Sequence, residues 1–458
     1  MKLKKVLFLT IPFILVIIIL VYTPKSKNAE SSVYNIKKEN YNMNNYLEKN
    51  HSEIDVNSCT GFNLLDEDIK KNDVILAGEY SGVSKNYLVK LSLFKYLNEK
   101  HGVRYLLEDI GYSQAYFINE YLKSGDESIL KSLYLNAVGY GYRTGGTEFD
   151  YKESYDFWKK LRKYNLSLSD DKRIFVIGIG FESQEWTILK YINLLLPERE
   201  PPEEIKSFIK AFRDKCKEKN ELEKNMDKIL KSSKKPEEID KEIIKSSQKI
   251  EEKDKEIGKS IQKIQKNLET NPGLYEKYLG AGYFDFNFIV NNVFIDSSGG
   301  IYSFGPELDM YSKFKKIYFN LPMGKYFGQF NMEQVYQNIP LNVANQNEFA
   351  SFLNGSGSPV AGRVLSIAYA YENSKAISSL ADDAKAAESF DVDILKNISK
   401  SDTTLFKLNG DKSPFAAKAY LVIAKDDMHT TDYFKYILLI KNSKAVNYVW
   451  KMINVEGD

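Results

Sequence analysis

The sequence predicts an α/β protein, a largely parallel sheet flanked by helices, with a long helical hairpin inserted into it. Three observations carry that prediction. Val74-Ile75-Leu76-Ala77-Gly78 is an unbroken apolar run closed by glycine, as in a strand buried on both faces. Behind it Tyr87, Leu88, Leu91, Phe94 and Leu97 recur at helical spacing up to the stop signal His101-Gly102, and a second apolar run, Val103–Leu107, follows at once. Strand and helix alternating at this interval belong to parallel crossover units. Between Pro201 and Pro272 the composition then shifts to Lys, Glu and Ile, which marks an insertion.

The N-terminus comes first. Lys2, Lys4 and Lys5 precede an apolar run from Val6 to Tyr22, closed by Thr23, Pro24, Lys25 and Lys27. At about 1.5 Å of rise per residue the run is just long enough to span a thin bilayer core. Residues 1–27 are therefore expected to be an anchor, or a signal segment if cleaved, and residues 6–22 are the membrane contact. No Ala-x-Ala pattern and no Cys follow it. The lysines place the N-terminus on the cytoplasmic side and the bulk of the chain outside the cytoplasm, at the cell membrane or, after cleavage, secreted. Residues 28–70 are polar and Asn-rich and read as a linker with at most one short helix.

Residues 71–200 form the first part of the α/β domain. After the two strands above come a helix over Tyr112–Leu122, a strand over Arg173–Gly178 and a helix from about Gln184 to Leu196. In the insertion, 201–272, Ile205, Phe208, Ile209, Phe212 and Cys216 make one apolar stripe. Ile243, Ile250, Ile257 and Ile264 recur every seven residues, with Ile261 and Leu268 beside the last two, a short heptad pattern of coiled-coil type. Ser232-Ser233 and Pro236 separate the halves, so a helical hairpin is expected. Residues 273–458 resume the scheme, with strands expected at Lys316–Asn320, Ile367–Tyr371, Tyr420–Ala424 and Tyr433–Lys441, and a loop at Asn354–Ser358.

Composition removes some function classes. Lys+Arg 64 against Asp+Glu 62 gives a net charge of +2, without the basic excess of a nucleic-acid binder. Cys59 and Cys216 are the only cysteines and are expected as two free buried thiols. No metal-ligand cluster and no cofactor motif appears.

In a parallel sheet ligands bind where the strands end, so the polar residues there are the site candidates. These are Glu79 and Ser81 after the first strand, Glu108 and Asp109 after the second, Glu182, Ser183 and Gln184 after the third, and Gln329 to Gln334 later in the chain. Arg143 and Arg173 are possible counter-charges. Each has a plainer reading. Glu79 and Glu108 suit helix N-termini or ion pairs, Ser81 suits an N-cap, and Gln184 and Gln334 suit helix starts. Gly78-Glu79-Tyr80-Ser81-Gly82 is only superficially like a nucleophile elbow, because the Ser is displaced by one and no His is at hand. Of the three histidines, His51 lies in the linker and His101 at a helix end, leaving His429 as a weak candidate. Trp158 and Trp186 read as core.

Residues 73–123, DVILAGEYSGVSKNYLVKLSLFKYLNEKHGVRYLLEDIGYSQAYFINEYLK, resemble the opening of the erythromycin esterase-like group, which stands near the TIKI, TraB and ChaN-like proteins. GKYFGQFNMEQVY (324–336) resembles that group's later Gly-Gln-aromatic segment. The resemblance implies hydrolase chemistry in which a His and an acid activate water or hold a metal, with Glu79 and Glu108 as the retained acids. The departures bear on that chemistry. Ser81 stands where the group has its first His, Gln334 where it has the later one, and Gly180 and Ser183 where some relatives carry Asp and His. Neither a hydroxyl nor an amide accepts a proton near neutral pH. The expectation is thus a degenerate, anchored hydrolase that binds an unidentified ligand or partner through Ser81, Asp109, Arg143, Glu182, Gln184 and Gln334. The alternatives are an active hydrolase working through Glu79 and Glu108, and an interaction protein working through the 201–272 hairpin.

Overall fold

The computed structural model describes residues 42–144, 148–230, 232, 236–302, 310–340, 349–377, 384–387, 390–422 and 427–449. The apolar run 6–22 lies outside them. Among the described residues no helix is long and apolar enough to cross a membrane.

Eight strands form one sheet: β1 (His51–Glu53), β2 (Val74–Glu79), β3 (Val103–Glu108), β4 (Phe175–Gly178), β5 (Lys325–Asn331), β6 (Val364–Glu372), β7 (Thr403–Lys407) and β8 (Tyr436–Lys441). Their order is β1-β7-β8-β6-β2-β5-β3-β4. Only β7 runs against its neighbours; every other pairing is parallel. The predicted fold class therefore holds. β2, at the centre, is buried from Val74 to Gly78, and this is why its sequence carries no alternation.

Helices cover both faces. In chain order they are α1 (42–49), α2 (Asp66–Lys71), α3 (Lys85–His101), α4 (Tyr112–Ser124), α5 (Glu127–Thr144), α6 (Lys152–Leu166), α7 (Glu185–Leu195), α8 (Glu203–Leu230), α9 (Pro236–Thr270), α10 (Pro272–Leu279), α11 (Tyr283–Asn292), α12 (Met310–Tyr318), α13 (Met332–Val335), α14 (Phe349–Asn354), α15 (Asp393–Lys396) and α16 (Thr430–Tyr433). Ile75, Ala77, Leu106, Val176 and Phe327 face α3, α4, α6 and α7 in the main core. Val74, Leu76, Leu107, Tyr326 and Phe330 face the opposite way, onto α12 and α14. The period of two along each strand sorts residues between these layers.

The insertion is the pair α8 and α9. Ile205, Ile209, Phe212 and Cys216 are buried against Ile257, Ile261, Ile264 and Leu268, within the main core. Ile243 and Ile250, expected on the same stripe, are only half-buried. The inner half of the hairpin is thus core. The outer half is tied by exposed pairs such as Lys253–Glu218 (2.6 Å) and Lys215–Glu256 (2.8 Å), which are weak individually.

Three expectations need correction. The polar stretch up to residue 70 is no linker over its described part. β1 is an edge strand of the sheet, Phe62, Leu65 and Ile69 are fully buried, and Tyr436 donates to Asp68 at 2.7 Å. Lys316–Asn320 is no strand; its first three residues end α12, where Phe314 and Ile317 are buried one turn apart. The strand is the next segment, Lys325–Asn331. At the C-terminal end, Tyr420–Val422 is irregular, residues 423–424 lie outside the described set, and Tyr433 closes α16, so the last strand begins at Tyr436.

β4 is the open edge of the sheet, and side chains close it. Asn119 donates to the Val176 carbonyl (2.8 Å) and accepts from its amide (2.9 Å), while Asn165 accepts from the Ile174 amide (2.8 Å). The two asparagines supply the pairing a ninth strand would make, which blunts an edge otherwise open to another chain. Cys59 and Cys216 are both unpaired; Cys216 is buried, and burial pushes its thiol up to about 11.

Candidate functional site

Because the strands around β2 are parallel, their C-terminal ends lie side by side, with β5 between β2 and β3. Glu79 is the last residue of β2 and is in register with Asn331, the last residue of β5. The approach of α13 to this edge requires glycine at 78. A Cβ there would stand 2.3 Å from Cγ2 of Val335 and 2.9 Å from Sδ of Met332. Gly82, four residues on, has φ of +84° and passes the backbone of Ile377, so the turn out of β2 also depends on glycine.

A row of hydrogen bonds crosses the strand ends. Ser81 Oγ donates to Asn331 Oδ1 (2.6 Å); the Asn331 amide donates to Gln334 Oε1 (3.1 Å); Gln334 Nε2 reaches Asp109 Oδ2 (3.4 Å) and Met310 Sδ (3.3 Å). The row thus joins Ser81, Gln334 and Asp109, three of the predicted residues. It is made of a hydroxyl, two amides and an exposed carboxylate.

Beneath it lies a second network, which takes in the predicted Glu79 and Gln329 and adds Tyr369, Tyr371 and Asn86, residues that sequence reasoning missed. Gln329 Nε2 donates to Glu79 Oε2 (2.5 Å), and Gln329 Oε1 accepts from the Tyr369 hydroxyl (2.9 Å). Ala77, in register with both Gln329 and Ile367, is the small residue on β2 over which this link passes. Tyr371 accepts from the Tyr80 amide (3.0 Å) and donates to Asn86 (3.0 Å). Burial, with the nearby Glu79 carboxylate adding, raises both Tyr369 and Tyr371 well above the ordinary phenol range, so both hydroxyls stay protonated donors. The available signal for the tyrosines was a Tyr at alternate positions of IAYAY.

Glu108 is placed differently. Its carboxylate pairs with Lys90 Nζ at 2.8 Å, with both side chains only 2–3% exposed, and the ammonium lies 4.9 Å over the Phe157 ring. This is a structural ion pair built by α3, and Lys90 also went unread.

Glu182 and Gln184 do not join the row. Glu182 is buried beneath the start of α4, accepting from the Ser113 amide (3.1 Å) and hydroxyl (2.5 Å). Burial raises its carboxyl pKa against those bonds and the Lys313 charge. Gln184 donates from Nε2 to the Leu133 carbonyl (3.0 Å), on the α5 side. Arg143 lies in α5, where its side chain is outside the described residues. Arg173 precedes β4, at the opposite end of the sheet, and pairs with Asp170 (3.2 Å), so it is no counter-charge to the row.

All three histidines also sit at the start of strands, away from the row. His51 opens β1 with Nδ1 at 3.1 Å from the Leu47 carbonyl, His101 meets Asp66 at 2.7 Å before β3, and His429 caps α16 before β8. Among the described residues no three His, Cys, Asp or Glu side chains cluster as metal ligands would.

No protein family's sequence model matches the chain, and no curated protein matches it. Solved structures do. A Bacillus cereus protein from structural genomics is similar at 14% identity with a TM-score of 0.56, over 89% of this chain and 98% of its own. A succinoglycan biosynthesis protein is similar at 13% identity with a TM-score of 0.55, over 89% and 98%. A mutant erythromycin esterase in its open conformation is similar at 14% identity with a TM-score of 0.50, over 86% and 97%. At this identity the likeness is one of fold: the chain has the helix-flanked, mostly parallel sheet that an erythromycin esterase also has.

Proposed function

We propose that this chain is an erythromycin esterase-like, hydrolase-like domain that binds a polar ligand at its strand ends without hydrolysing it. The fold shared with an erythromycin esterase supports the hydrolase-like part. The observation that carries the rest is the Ser81–Asn331–Gln334–Asp109 row. At the places where the resembling group has its histidines, the row puts a hydroxyl and an amide that bond to each other through Asn331. These groups donate and accept hydrogen bonds but take no proton near neutral pH. Of the two retained acids, Glu108 is engaged by Lys90 and Glu79 by Gln329, so both act as fixed acceptors.

The test is hydrolysis of p-nitrophenyl acetate and of a macrolide lactone by the full chain, beside Glu79→Gln and Ser81→Ala. No turnover above buffer is expected from any of the three. Turnover by the natural chain that disappears in Glu79→Gln would overturn the proposal in favour of a working carboxylate hydrolase.

The same proposal sets the domain outside the cytoplasm, on the strength of residues 6–22 and the lysines before them. Cell fractionation should find the chain with the membrane after a carbonate wash, and protease added to intact cells should digest the domain. A protease-resistant chain in the cytosolic fraction would refute that placement.

A further inference from the structure

The two most exposed large apolar side chains among the described residues stand four positions apart. Phe319 is 67% exposed and Met323 97%, on the turn that joins α12 to β5. The turn is tied down. The amides of Asn320 and Leu321 both donate to the Ile317 carbonyl (2.9 and 3.0 Å), and the Tyr105 hydroxyl donates to the Pro322 carbonyl (3.3 Å). Gly324 lets the chain pass Tyr105, since a Cβ there would stand 2.5 Å from its ring. The tip is therefore held out to solvent, with the Tyr318 ring beside Phe319 at 5.7 Å between centroids. Behind it a cavity of about 460 Å³ continues the apolar surface inward along Tyr105, Tyr116, Phe175, Ile317 and Leu321. An apolar surface that runs from an exposed tip into a cavity marks a place of interaction.

The topology says what the tip faces. α12 starts at Met310, which meets Gln334 of the row, and ends at the turn, which therefore lies where the strands begin. From there β5 runs about 20 Å back to the row. β1 begins at the same end as the turn, because it is antiparallel to β7, β7 is antiparallel to β8, and β8 is parallel to β6 and β2. Between His51 and residue 42 there is little more than α1, eight residues and about 12 Å long. The Gly410 amide, just past the end of β7, donates to the Tyr46 hydroxyl of α1 at 2.8 Å. The chain arriving from residues 6–22 thus joins the domain at the end that carries Phe319 and Met323. Residues 23–41 span at most about 65 Å, which keeps that end close to whatever holds the apolar run. Charge agrees. Lys315 and Lys316 are exposed in the last turn of α12, and residues 310–325 contain no Asp or Glu. Beside Arg104, Asp170 pairs with Arg173 at 3.2 Å, and Asp171 has Lys172 and Arg104 near it. Lysines around an apolar tip suit lipid phosphates over an acyl layer.

We propose that this end of the domain rests on the bilayer, with Phe319 and Met323 at the boundary of headgroups and acyl chains and Lys315 and Lys316 on lipid phosphates. The proposal rests on the reading of residues 6–22 as the membrane contact and adds an orientation to it. The strand-end row, at the other end of the sheet, opens away from the lipid and takes its ligand from the aqueous side.

The experiment reconstitutes the full chain into vesicles of phosphatidylcholine with phosphatidylglycerol, with an environment-sensitive dye attached through Met323→Cys or, at the opposite end on α13, through Glu333→Cys. Cys59→Ser is the background, and Cys216 is buried. A carbonate wash tests the anchor. Quenching by iodide, present on both sides of the bilayer, and by spin-labelled lipid tests the contact. In washed vesicles the dye at 323 should be shielded from iodide and quenched by the lipid label, and the dye at 333 should show the reverse. Adding Phe319→Asp should return position 323 to iodide and leave the thermal midpoint in place, because the side chain is exposed. Position 323 open to iodide in washed vesicles would leave the anchor standing and overturn the contact. Shielding from iodide without quenching by lipid would mean that a second copy or another protein covers the turn, and would overturn it equally. A chain stripped off by the wash would remove the anchor and the contact with it.

Discussion

Lys90→Met should destabilise the protein by about 3–5 kcal/mol, the usual cost of stripping one partner from a buried ion pair. Lys90 and Glu108 are 2.8 Å apart and almost wholly buried between α3 and the end of β3. Methionine would fill the space of the lysine stem, so the loss is electrostatic rather than a cavity effect. A carboxylate stripped of its nearest cation in the interior keeps its desolvation cost without that compensation. The loss should therefore shrink at acidic pH, where Glu108 can take up a proton. Changing both members, Lys90→Met with Glu108→Gln, should recover most of the stability, because a pair replaced together leaves no buried charge. Guanidinium midpoints of the two single variants and the double variant, read as a cycle, measure this. Equal destabilisation by the double variant and by Lys90→Met would show that packing, not charge, was lost. The outcome also bears on function, since loss of ligand binding in any Glu108 variant means nothing until its stability is known.

Much of the sheet was legible because its central strands are buried on both faces. Val74–Gly78 and Val103–Leu107 differ from the observed strands by one residue at one end. Lys316–Asn320 failed because five residues do not separate the two periods. Phe314 and Ile317 are one helical turn apart, while the real strand beside them carries Lys325, Gly328 and Gln329 and looks less apolar than it is buried. Gly328 is there for close packing, since a Cβ would stand 2.3 Å from the Phe330 ring. The N-terminal stretch was hidden by its polar composition, although Phe62, Leu65 and Ile69 already form an apolar stripe. At the strand ends, where the rule for parallel sheets pointed, Ser81, Asp109 and Gln334 lie along one row and Glu79 lies in the network beneath it. The rule misplaced Glu182 and Gln184 because β4 is the edge strand. The chain leaving it turns under α4 and across to α5 instead of rising over the row. Lys90 was unreadable in the role it has, because a lone lysine near a helical stripe does not reveal that a glutamate from the neighbouring strand lies against it.

The pH dependence of stability should be set largely by a partly buried cluster, the one that ties the hairpin to the sheet domain. Lys219 of α8 lies 2.5 Å from Glu185 of α7 and 2.7 Å from Asp254 of α9, with Glu223 at 3.7 Å. Three carboxylates thus share one ammonium. Burial disfavours the charge on Lys219, but Glu185 and Asp254 more than reverse this and hold it protonated. The same sharing leaves one carboxylate in excess. Burial, with Asp254 adding to it and Lys219 opposing, raises Glu185 to about 7. Glu223 is raised in the same direction, by burial first. A carboxyl raised on folding means that the folded chain holds more protons than the unfolded one between the two values. Stability must then fall as pH rises through that window, here from about 4.5 to about 7. Glu182, also raised by burial, acts with the same sign. Glu53 works in reverse. Burial opposes its ionisation, but bonds from Ser401, Lys400 and Thr404 outweigh burial and lower its pKa, so its contribution is lost only as pH falls below the ordinary carboxylate range. Thermal midpoints should accordingly peak near pH 5 and decline toward pH 8. Glu185→Gln should flatten that decline by on the order of 1–3 kcal/mol, since one pKa unit is worth about 1.4 kcal/mol. Lys219 keeps Asp254 as its partner in this variant, so a midpoint at pH 8 above that of the natural chain is expected. If Glu185→Gln is instead less stable at pH 8, the ion pair of Glu185 with Lys219 outweighs the burial of the carboxylate, and the carboxyl is not raised in the folded chain.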